Sequence, residues 1–183
     1  MKIPTRYGWI ADIADAPKMI VEGFKLGQLD TTEFPGPKSN PEILALAAEA
    51  GLASIYHSDE TAWCAVAQTV VCLRAGKEVP FTMYDRMRAV SFLHFGTPVD
   101  PDQAMFGDVL IFKRPGGYHV GMYAAEDEVC FHTMGGNESN QYNIVREPKT
   151  RILAVRRPHY NNQPASVKKI IVSPQGAISD NEA

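Results

Sequence analysis

The spacing of apolar residues switches once along this 183-residue chain, from a helical period to strand alternation, and that switch narrows the fold more than any other feature. Across 18–29, Met19, Ile20, Phe24 and Leu26 recur at helical spacing, which predicts a first helix. Pro35, Gly36 and Pro37 then force a loop. Ser39 or Asn40 can cap a second helix that begins at Pro41, carries Ile43, Leu44, Ala47 and Ala48 on its apolar face and stops at Gly51. In the third helix Trp63, Val66, Ala67, Val70 and Val71 fall at i, i+3, i+4, i+7 and i+8, with Asp59 and Thr61 as cap candidates and Gly76 at the end. From Gly107 the period becomes that of strands, expected at 109–113, 120–124, 129–133, 142–146 and 152–156, with Gly, Pro, Asn and Asp between them. Helices followed by an antiparallel meander define an α+β domain rather than an alternating α/β one.

The length suits one domain with extensions: an N-terminal stretch over 1–17, a domain over 18–160, and a polar tail or docking segment over 161–183. An apolar fraction of 45% against 21% charged residues is enough to build a core. A formal net charge of -3 supplies no basic field, so neither nucleic acid nor an anionic membrane is an expected partner. The start of the chain is broken by Pro4 and Gly8 and acidified by Asp12 and Asp15, which does not read as a signal peptide. No apolar run reaches the length of a transmembrane helix.

Three cysteines cannot all pair with one another, and the spacing of Cys64, Cys72 and Cys130 matches no zinc pattern. Cys64 stands in the first turn of the third helix, where the helix dipole and a nearby imidazole can lower a thiol pKa from about 8.5. Cys72, two turns deeper, and Cys130, within a strand, read as core thiols. The base for Cys64 must be a histidine held rigidly against that helix end. His119 fits, because it opens a strand directly after the Pro115-Gly116-Gly117-Tyr118 turn and has Gly121 beside it. His57, His94 and His159 fall in loops.

The segments Glu33-Phe34-Pro35-Gly36, Ser39-Asn40-Pro41-Glu42-Ile43, Asp59-Glu60-Thr61-Ala62-Trp63-Cys64-Ala65, Gly107-Asp108-Val109, His119-Val120-Gly121 and Gly135-Gly136-Asn137-Glu138-Ser139-Asn140 occur in this order. Together they resemble the peptidoglycan-cleaving cysteine hydrolases of the NlpC and CHAP type, and most of all their bacteriophage branch. The resemblance implies a papain-like fold, with N-terminal helices packed on an antiparallel sheet. It also implies a Cys64 nucleophile, a His119 base and Asn137 as the residue that orients the imidazole. An alternative orienter is His132: if Glu126 and Asp127 form a two-residue turn, His132 faces Gly121 and lies one diagonal step from His119. The Cys64 backbone N–H is expected in the oxyanion hole, with Tyr56 and Gln68 as candidate side-chain donors.

The substrate so implied is bacterial peptidoglycan, cut by a phage virion-attached lysin or an endolysin. Such a protein resides in the virion or the host cytoplasm before delivery to the wall, with phage tail proteins as possible partners. Two competing readings are a structural tail component with a degenerate hydrolase fold, and a thiol protease or deamidase acting on proteins. No cofactor or metal is expected; Asp59, Glu60, Asp100 and Asp102 lack the spacing of a calcium loop and read as caps and solvated charge.

Overall fold

The computed structural model describes residues 3–29, 31–175 and 178. Three helices, α1 (Lys18–Gln28), α2 (Pro41–Glu49) and α3 (Cys64–Arg74), precede six strands: β1 (Thr97–Val99), β2 (Val109–Arg114), β3 (Gly117–Glu126), β4 (Cys130–Gly135), β5 (Asn143–Pro148) and β6 (Ile152–Arg157). All strand pairs are antiparallel, in the order β1-β6-β2-β3-β4-β5. The domain is therefore α+β. The meander runs through β2 to β5; the sixth strand then crosses back to pair with β2 and carries the short β1 on its outer edge.

Local chemistry explains the helix ends. At the start of α2 the Asn40 side chain accepts from the Glu42 N–H at 2.8 Å, Pro41 fills the first helical position, and Gly51 leaves in the left-handed region at φ 79°. Every residue from Cys64 to Cys72 is buried, because α3 is enclosed by α1, α2, β3 and β4. Its N-cap is Trp63, with no side-chain cap bond. Asp59 and Thr61, the expected caps, serve elsewhere. The Asp59 Oδ2 accepts from the backbone N–H groups of Phe34 and Asn40, at 3.1 and 2.8 Å, tying the loop before α2 to the chain before α3. The Thr61 carbonyl accepts from the Tyr56 hydroxyl at 2.6 Å.

Gly136, just beyond β4, lets the chain close on the start of α3, and Gly121 lets β3 lie close against β4. A Cβ on Gly136 would stand 2.7 Å from the Trp63 ring and 2.6 Å from the Ala67 Cβ; one on Gly121 would stand 2.9 Å from the Met134 carbonyl oxygen. The β3–β4 register differs from the expected one. Asp127, Glu128 and Val129 form the turn, pinned by the Asp127 carboxylate accepting from the N–H groups of Val129 and Cys130, both at 3.0 Å. A bulge between Tyr123 and Ala125 shifts the pairing further, so His132 lies opposite Ala125, not Gly121.

Both flanking stretches lie against the domain. The 3-10 segment Thr5–Asp12 buries Tyr7 and Ile10, and Trp9 packs on Phe106 with ring centroids 6.1 Å apart. In the segment after β6, Val167 is buried, the Phe106 N–H donates to the Lys168 carbonyl, and Glu126 exchanges backbone bonds with Ile170 and Val172. Within that segment Ile171 makes an isolated parallel bridge to Glu126. Among the described residues no helix is long and apolar enough to cross a membrane.

Candidate active site

Cys64 opens α3, so its backbone N–H is one of the helix-start donors without an intrahelical acceptor. The thiol is buried, 5% exposed, and faces His119 from β3, itself 2% exposed. Burial opposes ionisation of the thiol. The hydrogen bond and charge of the His119 imidazole, aided by the Val120 backbone amide, outweigh it and hold the Cys64 pKa below the ordinary thiol value. The other two thiols are buried without such help: Cys72 is pushed up to about 12, and Cys130 is also raised.

The Nε2 of His119 lies 2.6 Å from the Glu138 Oε1. Glu138 takes one ring nitrogen, which leaves Nδ1 for the thiol. The expected orienters stand elsewhere. Asn137 is buried with φ 56°, its Oδ1 has no hydrogen-bond partner, and it is not bonded to His119. His132 belongs to a separate cluster, with its Nε2 at 2.9 Å from Asp127 and its Nδ1 at 2.7 Å from the Tyr7 hydroxyl. The structure thus brings Cys64 and His119 together and puts Glu138, one residue beyond the expected Asn137, against the imidazole.

Glu138 is fully buried, and burial raises its pKa well above the ordinary carboxylate value despite a nearby guanidinium. Arg114 approaches it at 3.4 Å but bonds more closely to Glu147, which also has Arg151 at 3.8 Å. The charge of Glu147 adds to the rise at Glu138. Of the candidate oxyanion donors, the Tyr56 hydroxyl commits its one proton to the Thr61 carbonyl, and the Gln68 amide donates along α3 to the Cys72 sulfur at 3.7 Å. The first turn of α3 supplies the backbone N–H alone. Beside it, the Trp63 Nε1–H donates to Glu33 at 2.6 Å, fixing the ring that precedes the thiol and linking it to the 33–36 loop.

No group of three or more His, Cys, Asp or Glu side chains able to hold a metal occurs among the described residues. A cleft of about 960 Å³ lies beyond the C-terminal end of α3, at the opposite end of that helix from Cys64. No model of a known protein family matches this chain, and no curated protein matches its sequence.

Proposed function

We propose that this protein is a papain-like cysteine hydrolase of the NlpC and CHAP type that cleaves amide bonds in bacterial peptidoglycan, as a phage lysin. The observation that carries the reading is the Cys64–His119–Glu138 chain at a helix start, with a thiol acidified by the imidazole it faces. In this mechanism His119 takes the Cys64 proton and the thiolate adds to the substrate carbonyl, breaking its C=O π bond. The α3 N-terminal N–H groups receive the oxyanion. The imidazolium gives its proton to the leaving nitrogen as the C–N bond breaks. Water, deprotonated by His119, then releases the acid and restores the thiol. Glu138 holds the ring through Nε2 and favours its cationic form when ionised.

The test is digestion of purified sacculi. The wild-type protein is expected to release soluble muropeptides, with mass spectra locating one new amine terminus per cut, while Cys64→Ala releases none. Equal release by both proteins would sink the assignment. The near-complete burial of Cys64 favours one second reading, a virion component that keeps the fold without turnover. Inert sacculi together with a Cys64 thiol that resists iodoacetamide in the folded protein would select it.

A further inference from the structure

Four separated stretches build the cleft beyond α3: residues 15–19, the turn at 75–80, the corner at 94–96 and the segment 159–164. At about 960 Å³ it is in the size range of small-ligand sites, and its lining mixes apolar surface with charged and amide side chains. Lys18 and Lys77 stand close enough to repel: burial first, then the charge of Lys18, hold the Lys77 pKa below its ordinary value, against an opposing pull from Cys72. Neither lysine has a carboxylate partner among the described residues. Lys77 is instead fixed by its bond to the His159 carbonyl and lies 4.6 Å above the Tyr160 ring. Of the two acids on the lining, Asp15 accepts from the Ser166 N–H, and Glu78 is solvent-exposed. Asn161, Asn162 and Gln163 then present three consecutive exposed amides along the rim, none engaged by another described residue.

A pair of lysines outside any ion pair among the described residues, an aromatic ring and a row of side-chain amides each answer one part of a single ligand chemistry. The cations match carboxylates, the ring matches the C–H face of a pyranose, and amides donate to and accept from hydroxyl groups. We infer that this cleft binds an acidic oligosaccharide, at a site distinct from the Cys64 centre. Under the proposed function, which this binding does not require, such a site holds the enzyme on glycan while Cys64 works on a peptide.

The experiment uses the full chain carrying Cys64→Ala, so that no turnover occurs. It is titrated with peptide-free glycan strands of peptidoglycan, whose lactyl carboxylates are free, and in parallel with neutral chitotetraose. Amide NMR shifts are expected to concentrate at 15–19, 75–78 and 159–164. The charged strands should bind about tenfold or more tightly than chitotetraose, and added salt should erode that margin. Lys18→Glu, a surface change, should weaken strand binding by a similar factor while leaving chitotetraose binding unchanged. No shifts at millimolar strands, equal binding of both sugars, or shifts centred on Cys64 and His119 would each overturn the inference. Binding is read on an inactive protein, so failure of sacculus digestion by the wild type leaves this result standing.

Discussion

His119 and His132 lie on neighbouring strands, both buried and both with a carboxylate against Nε2, yet the two clusters differ in where a proton can go. In the His132 cluster every proton is fixed. Asp127 is held far below the ordinary carboxylate value: burial opposes this, but Arg146, His132 and two backbone N–H groups outweigh it. Burial raises the Tyr7 phenol above its usual 10 and lowers His132 below its usual 6.5. Tyr7 therefore donates to Nδ1, Nε2–H donates to Asp127, and the ring stays neutral. In the His119 cluster the third group is a thiol drawn down toward the imidazole, and the carboxylate is drawn up. A histidine–carboxylate pair is common to both clusters; what separates them is the acidity of the group on the other ring nitrogen, which under the proposed function is the reacting thiol.

The sharpest way to break this comparison is to remove one member from each cluster. Cys64→Ala and His119→Ala should each lower the rate of sacculus digestion by about 10³-fold or more. Tyr7→Phe and His132→Phe should keep the wild-type rate per folded molecule. A His132→Phe protein that is folded but as slow as His119→Ala would erase the distinction between the clusters.

Within the His119 cluster the comparison narrows to adjacent residues. Glu138→Ala should slow the reaction by about 10- to 100-fold, roughly 1.4–2.8 kcal/mol of barrier. Asn137→Gly, chosen because Asn137 already has a positive φ, should leave the rate near wild type. kcat measured on variants of matched thermal stability decides. A slow Asn137→Gly beside a fast Glu138→Ala would return the orienting role to Asn137.

How far the sequence could be read follows from which physical rules govern each segment. The helical period located α1 and α2 within a residue or two and the body of α3, whose cap is Trp63 rather than Asp59 or Thr61, and alternation located β2 to β6, because these elements bury one continuous pattern. Cys64 and His119 were legible for the same reason: one opens a strongly periodic helix, the other lies in a strand after a tight turn, although that turn is Pro115-Gly116 alone and His119 is the third residue of β3 rather than its first. Glu138 was not. Beyond Gly135 and Gly136 the chain leaves strand geometry, with Asn137, Ser139 and Asn140 all at positive φ, so alternation no longer says which way a side chain points. The placement of His132 failed on an Asp side chain capping a three-residue turn and on a bulge, neither of which alternation can register. The only available signal for Glu138 was its neighbourhood: a lone carboxylate in a Gly- and Asn-rich turn, close in sequence to the expected orienter. The return of β6 to pair with β2, and the three-residue β1, carry too little periodicity to be read.

A smaller effect separates the clusters by stability rather than rate. Tyr7→Phe removes the phenol that donates to His132 and leaves a buried ring nitrogen unpaired, at a cost of about 1–3 kcal/mol. Because Tyr7 belongs to the 3-10 segment Thr5–Asp12, urea unfolding of this variant should show the loss, and hydrogen exchange should show that segment loosening first. Unchanged unfolding with unchanged exchange would mean that Trp9 and Ile10 hold the segment without the polar cluster.

The smallest expected effect is a pair of opposite pH slopes. Glu138 has a raised pKa in the folded protein, so its contribution is most favourable below the unfolded value of about 4.5 and declines as pH rises toward the folded pKa, because the unfolded chain gives up a proton that the fold retains. Glu138→Gln carries no such proton. Its melting temperature minus that of wild type should therefore climb as pH rises from about 4.5, whatever its offset at acid pH. Asp127 has a depressed pKa, so its contribution is fully present above the unfolded value of about 3.8 and is lost as pH falls toward the folded pKa. The corresponding difference for Asp127→Asn should be flat from pH 5 to 8 and shrink only in more acid solution. Melting curves across that range distinguish a carboxylate held as a reluctant anion from one held as a permanent anion. Parallel slopes for the two variants would show that Glu138 is ionised as readily as Asp127, and that His119 faces a fixed charge after all.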